Sequence, residues 1–167
     1  MRKLGHPYKG FLYAGLMIKN GEPYLIEYNI RMGDPECQVL MMRLESDLLE
    51  IIDHVIRSNL KNFKINWIEK KCITVVLCAN GYPGKYEKNK EIKNLSKIIT
   101  NRHTQIFHAG TLKKNNKIYS NGGRVLNMTC SGENLKEARE RTLKNLENIK
   151  WTDGFFRKDI GWRVIKK

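Results

Sequence analysis

Apolar residues dominate GFLYAGLMIK (10 to 19) and recur at every second position of EPYLIEYNI (22 to 30), and Asn20-Gly21 stands between the two runs. Two β-rich runs around Asn-Gly predict a β-hairpin. Successive side chains of an extended chain point to opposite faces. Leu25, Glu27, Asn29 and Arg31 are therefore expected on one face, with Tyr24, Ile26, Tyr28 and Ile30 on the other. The second face reads as core-facing, the first as a place for a cation and an anion. Pro35 then blocks strand continuation and leaves Glu36 to open a helix. Val39, Leu40, Arg43 and Leu44, then Leu48, Leu49, Ile51, Ile52, Val55 and Ile56, recur at helical spacing. Ser46-Asp47 offers an N-cap and a first-turn acid, which predicts a short helix giving way to a second one.

The Asn/Lys-rich stretch 59 to 71 marks a boundary. Beyond it KCITVVLCA (71 to 79) is a β-branched run suited to a buried strand, and NGYPGKYEK is rich in turn residues. TQIFHAGT, KIYSNGGR and VLNMTCSG read as three more short strands, with Asn115-Asn116 as a turn between the first two. ENLKEARERTLKNLENIK predicts a helix whose inward stripe is Leu135, Ala138, Thr142, Leu143, Leu146 and Ile149. The aromatic and glycine-bearing end, WTDGFFRKDIGWRVIKK, is expected to pack against the sheet. The fold class is α+β, in two unequal pieces.

Composition narrows the classes. Hydrophobic residues make up 41% of the 167, enough for a packed core. No apolar run approaches the roughly 18 residues of a membrane-spanning helix, so no membrane partner is expected. MRKLGHPYKG lacks the apolar segment of a secretory signal. Cys37, Cys72, Cys78 and Cys130 show no close pairing of the zinc type, so free thiols in the cytoplasm are the expectation. The net charge of +14 is unevenly spread. Through Ser58 there are 7 Lys and Arg against 8 Asp and Glu; from Asn59 onward there are 24 against 9, a net of +15. That excess raises the alternative of a basic nucleic-acid-binding module. No recognition-helix motif or ordered aromatic pattern supports it. Much of the charge is lysine scattered among asparagine and isoleucine, a bias that an AT-rich genome produces without a polyanion partner.

Four stretches carry candidate chemistry. Glu27 and Asn29 supply hard oxygen donors two residues apart, suited to Mg²⁺, which takes oxygen ligands at about 2.0–2.1 Å and keeps phosphate oxygens in its shell. Arg31 can neutralise a phosphate in a bidentate fork. The spacing alone fits equally a half-exposed strand with polar residues facing water. Gly33-Asp34-Pro35-Glu36 is a tight turn feeding a helix start, where Asp34 and Glu36 can accept hydrogen bonds from an amine or a ribose hydroxyl. Ser120-Asn121-Gly122-Gly123-Arg124 is a loop whose backbone amides, with Arg124, suit a phosphate or cover a reacting carboxylate; a glycine bulge between strands reads the same way. His108 in FHAGT is either a site residue or a structural histidine at a strand end.

The run YKGFLYAGLM…YLIEYNIRMGDPE…RLESDL, followed in order by ANGYPGKYEK, FHAGT, SNGGRVL and FFRKDIGWR, resembles the glycinamide ribonucleotide synthetase (phosphoribosylamine–glycine ligase) family of the ATP-grasp superfamily. The resemblance implies the end of an ATP-grasp domain (1 to 66; the hairpin plus helices), then the family's carboxy-terminal domain (67 to 167; a small mixed β-sheet domain with one long helix). It implies Glu27 and Asn29 as ligands of Mg²⁺ or Mn²⁺ at the triphosphate end of ATP, and Arg31 at a phosphate or acyl-phosphate. Asp34 and Glu36 would lie beside the amino-substrate. His108, Gly122, Gly123 and Arg124 would meet substrate, Arg124 and Arg31 taking part in catalysis.

The reaction implied is phosphorylation of glycine by ATP and attack of 5-phosphoribosylamine on the acyl-phosphate, a step of purine biosynthesis in the cytoplasm. Phosphoryl transfer needs positioning and charge neutralisation more than a nucleophile, and an acyl-phosphate needs shelter from water. Two departures stand out: Cys37 replaces the usual Thr or Ala, and Ala14 stands where a further metal-binding acid is expected. No glycine-rich phosphate loop or adenine pocket is recognisable. The expectation is therefore a chain inactive by itself, partnered by the family's amino-terminal domains; a partner subunit complementing a separately encoded amino-terminal half is the other reading.

Overall fold

Turn geometry accounts for the first element of the computed structural model, which describes residues 1–165. Asn20 and Gly21 have φ of 54° and 84°, the left-handed pair that a two-residue type I′ turn requires. They join β1 (Tyr13–Lys19) to β2 (Glu22–Asn29) in an antiparallel two-stranded sheet. Pairing runs from Lys19 opposite Glu22 to Leu16 opposite Leu25, then slips by one residue at a bulge, so that Gly15 faces Glu27 and Tyr13 faces Asn29. The hairpin is therefore as expected, but two parts of the parity reading need correction. Tyr24, Ile26, Tyr28 and Ile30 are 55%, 64%, 61% and 76% exposed rather than buried, because no second layer covers that face among the described residues. β2 also ends at Asn29, whose partner Tyr13 is the first residue of β1, so strand alternation does not extend to Arg31.

Two helices follow as predicted, α1 (Glu36–Arg43) and α2 (Leu48–Ile56). The Asp47 carboxylate caps α2, accepting from the amides of Leu49 at 2.7 Å and Glu50 at 3.3 Å. The segment between the helices is pinned to the chain ahead of the next strand: Ser46 Oγ accepts from the Asn66 amide at 2.8 Å, and Leu44 bridges Trp67. The chain forms two compact units, one of Met1–Cys37 with Leu44–Ile68, the other of Gln38–Arg43 with the residues from Glu69 onward.

The second unit is built on β3 (Lys71–Ala79), β4 (Glu91–Ile92), β5 (Thr104–His108), β6 (Thr111–Lys114), β7 (Lys117–Ser120), β8 (Arg124–Gly132) and β9 (Gly154–Phe155), with helices α3 (Leu135–Asn148) and α4 (Trp162–Ile165). One sheet has the order β5-β8-β3-β9 and a second the order β4-β7-β6, with every pairing antiparallel. Alternation on β3 and β8 sets Ile73, Val75 and Leu77 opposite Cys130, Met128 and Leu126, all buried. α3 packs here through buried Ala138, Thr142 and Leu146. The opposite face carries polar pairs among its apolar residues: Thr74 and Thr129 share a 2.8 Å hydroxyl contact, and His103 Nδ1 lies 3.0 Å from Ser131 Oγ.

α3 begins with a reciprocal cap, Asn134 accepting from the Glu137 amide at 2.9 Å while the Glu137 carboxylate accepts from the Glu133 amide at 2.8 Å. An i,i+4 ion pair on this helix joins Glu137 and Arg141 at 2.6 Å. TQIFHAGT differs from expectation. Its strand stops at His108, Ala109-Gly110 turns, and Thr111 starts β6 in the other sheet. Asn115-Asn116, with φ of 49° and 59°, consequently joins β6 to β7.

Candidate active-site segments

Tyr13, Glu27, Asn29 and Glu36 come together in the first unit. The bulge brings Tyr13 and Gly15 opposite Asn29 and Glu27, so the pair stands on one face of the hairpin with Tyr13 beside it. Asn29 Nδ2 donates to Glu27 Oε1 at 2.9 Å. This contact holds the amide and the carboxylate side by side, the donor types a hard cation takes. Gly15 makes room for the carboxylate, since a Cβ there would lie 3.1 Å from Glu27 Cγ. Among the described residues no group of three or more His, Cys, Asp or Glu side chains is gathered in a metal-binding arrangement. Glu27 and Asn29 thus fit a divalent cation as two of its oxygen donors, with the remainder from phosphate, water or other groups.

The GDPE turn is bonded to this face through Tyr13, whose hydroxyl donates to Glu36 Oε1 at 3.2 Å. The Glu36 carboxylate, with burial adding, pushes the Tyr13 phenol above its ordinary ionisation range, and Glu27 contributes in the same direction. Gly33 is buried between them; a Cβ there would lie 2.5 Å from Glu36 Oε2 and 2.9 Å from Tyr13 Cε2. The turn closes with the Cys37 amide on Gly33 O at 2.9 Å. Asp34 is exposed at the turn, ahead of a cis peptide to Pro35. Arg31 is exposed beyond the strand end and donates to the Met32 carbonyl at 2.9 Å. Cys37 Sγ, the departure noted beside this motif, lies 3.5 Å from Met32 Sδ.

In the second unit three turn segments interlock. The Gly110 amide donates to Arg124 O at 3.1 Å and the Asn121 amide to Gly110 O at 2.7 Å. A Cβ on Gly110 would meet Arg124 O and Gly122 Cα, both at 2.7 Å, so the FHAGT and SNGGR turns touch backbone to backbone. The NGYPG turn joins them through Ala79, whose amide donates to Gly123 O at 2.8 Å, and through Tyr82, whose ring lies against Gly123. His108 and Arg124 are both exposed at this rim. His108 Nδ1 lies 2.9 Å from Thr111 Oγ1, a contact that orients the ring. Arg124 stands opposite Cys78, whose thiol is raised by burial against the opposing pull of that guanidinium.

His108, Gly122, Gly123 and Arg124 are therefore gathered in one unit, and Glu27, Asn29 and Glu36 in the other. Tyr13, Tyr82, Gly110 and Thr111 are site neighbours to which the sequence assigns no role, and Gly33, legible there only as part of a tight turn, is a fifth. Two of the five are glycines whose importance shows only in what a Cβ would strike.

The chain's relationships point to one family. Residues 72–163 match the family model described as phosphoribosylglycinamide synthetase, C domain, and residues 1–37 match that family's ATP-grasp (A) domain. A phosphoribosylamine–glycine ligase of Mesorhizobium japonicum is 47% identical over all 167 residues, and one of Brucella melitensis 44% identical over the same length. The chain covers 39% of each of these relatives. A chloroplastic phosphoribosylamine–glycine ligase of Arabidopsis thaliana is 46% identical over the whole chain, which spans 32% of it. Among solved structures, the phosphoribosylamine–glycine ligase of Thermotoga maritima superposes with a TM-score of 0.71 at 35% identity, over 95% of this chain and 38% of that one. These matches favour the ligase reading over a nucleic-acid-binding module. Among the described residues no helix is long and apolar enough to cross a membrane. The chain belongs to the phosphoribosylglycinamide synthetase family.

Proposed function

We propose that this chain supplies the carboxy-terminal part of a cytoplasmic phosphoribosylamine–glycine ligase, which joins glycine to 5-phosphoribosylamine with ATP in purine biosynthesis. The observation that carries the proposal is the Glu27–Asn29 pair on one hairpin face, bonded at 2.9 Å, in a chain that aligns end to end with ligases of that name. Domains are assigned as the end of the ATP-grasp domain through residue 66 and the family's carboxy-terminal domain from residue 67. Mg²⁺ or Mn²⁺ at Glu27 and Asn29 would neutralise triphosphate charge. Arg31 stabilises negative charge on the transferred phosphoryl group, which in such reactions needs electrostatic complementarity more than a nucleophile. Asp34 and Glu36 accept hydrogen bonds from the amino-substrate, with Tyr13 fixing the Glu36 carboxylate. In the second unit His108, the Gly122 and Gly123 backbone and Arg124 hold the phosphate-bearing substrate and shelter glycyl phosphate from water.

Most of the enzyme's length lies outside the alignment, and the family's ATP-grasp domain matches residues 1–37 only. The 167-residue chain alone is therefore expected to form no ADP, and the apolar hairpin face carrying Tyr24, Ile26, Tyr28 and Ile30 is covered by the rest of the ligase. The test is a chimera in which this chain replaces the aligned part of the Mesorhizobium japonicum relative. Glycine- and phosphoribosylamine-dependent ADP formation is expected. A folded chimera that retains no such activity refutes the assignment, and robust turnover by the isolated chain refutes its dependence on other domains.

A further inference from the structure

We propose that Tyr82 is a positioning residue that presets the Gly122–Arg124 loop for its phosphate-bearing ligand, an inference that rests on the reading of that loop above. Gly123 is buried, and the three atoms nearest a Cβ built on it all belong to one ring: Tyr82 Cδ2 at 2.2 Å, Cε2 at 2.7 Å and Cγ at 3.1 Å. Gly123 is not among the positive-φ glycines, so the ring, not the backbone angle, excludes a side chain there. Tyr82 is itself anchored. Its amide donates to Ala79 O at 3.0 Å, at the buried end of β3, and its ring meets the edge of Tyr86 at a centroid distance of 6.2 Å. Tyr86 in turn packs against the apolar core.

The other side of the loop is fixed by Gly110, whose missing Cβ lets Gly122 approach to backbone contact. A pair of adjacent glycines ahead of an arginine has more conformational freedom than any other dipeptide, and ordering it on binding would cost affinity. With Tyr82 on one side and Gly110 on the other, that freedom is removed before any ligand arrives. Arg124 then leaves the loop at the first position of β8 with its direction set.

The test titrates ribose 5-phosphate into the ¹⁵N-labelled 167-residue chain and follows the amides of Gly122, Gly123 and Arg124. The wild-type amides are expected to shift, and Tyr82→Phe, which keeps the ring, to bind equally. Tyr82→Ala frees the loop and Gly123→Ala drives it off the ring; each should weaken binding about tenfold. Because both act on one contact, the double variant should lose no more than either single one. If Tyr82→Ala fails to fold, Tyr82→Leu makes the same comparison. Wild-type amides unmoved by ribose 5-phosphate overturn the phosphate reading of the loop, and the inference with it. Shifting amides with undiminished affinity in both Tyr82→Ala and Gly123→Ala overturn the role of Tyr82 alone.

Discussion

Replacing Gly110 by alanine isolates one steric contact. The new Cβ would lie 2.7 Å from Arg124 O, 2.7 Å from Gly122 Cα and 2.9 Å from Gly122 N. All three are backbone atoms, which cannot rotate aside as a side chain would. Gly110 is not among the positive-φ residues, so the substitution adds no backbone-angle strain to confuse the result. Ordinary contact would require the turns to separate by several tenths of an ångström, stretching the 3.1 Å bond from Gly110 N to Arg124 O and the 2.7 Å bond from Asn121 N to Gly110 O. Overpacking costs roughly 1–3 kcal/mol and the loss of one of these two bonds about 0.5–1.5 kcal/mol more, which together suggest roughly 2–4 kcal/mol. For a unit of about 100 residues this corresponds to a fall in Tm of roughly 10–25 °C. Gly122→Ala is the internal control: its Cβ meets Gly110 Cα at 3.0 Å and Arg124 O at 3.4 Å, a milder clash. Calorimetry with amide exchange at Asn121 reads both variants. A Gly110→Ala protein that melts with the wild type and keeps its Asn121 amide protected would refute the interlocked-turn description.

Other consequences follow from single side chains. In the chimeric ligase, Glu27→Gln and Asn29→Ala should each raise the magnesium requirement and cut turnover; unchanged magnesium dependence in both counts against a ligand role. Burial pushes the Cys72 thiol up to about 11, with Cys130 adding and Arg43 opposing. Iodoacetamide at pH 8 should therefore alkylate Cys72 about a hundredfold more slowly than an ordinary thiol, and comparable rates by mass spectrometry would contradict this. Burial, then the positive charges of Lys70, Arg102 and Arg141, hold the His103 imidazole below its usual range. The unfolded chain then binds the extra proton first, so the His103 contribution to stability is present above about pH 6.5 and is lost as pH falls through the lower folded value. An NMR titration placing His103 at or above 6.5 would reverse that sign.

Local chemistry made much of the fold legible. Asn-Gly and Asn-Asn tolerate the left-handed angles of tight turns, Asp47 is a capping residue, and the α3 stripe follows helical periodicity; all appear where those rules place them. What escaped depends on partners distant in sequence. Counting outward from the turn in the register of Leu16 and Leu25 would set Tyr13 opposite Tyr28; the bulge moves it opposite Asn29, into the polar cluster. Arg31 loses its place on that face because a strand ends where its partner does. Lysine-rich LKK carries a weak strand signal and lies between the expected strand TQIFHAGT and the Asn-Asn turn, yet with Thr111 it forms the outer strand of its sheet. Glycine reads as flexibility in a sequence, yet at Gly110 and Gly123 it marks a close approach that only the folded chain reveals.

That outer strand gives part of the surplus lysine a use unrelated to any ligand. β6 lies at the rim of the β4-β7-β6 sheet, and Lys113 and Lys114 on it are exposed, with Lys117 facing Lys114 across the turn. A free strand edge is a template for another copy, and like charges on it are a common defence. Two such edges approaching each other would bring four or more ammonium groups together before any backbone bond could form. The defence weakens as salt screens it. Concentrated protein should thus stay dispersed at low ionic strength and become prone to edge-to-edge association as salt rises.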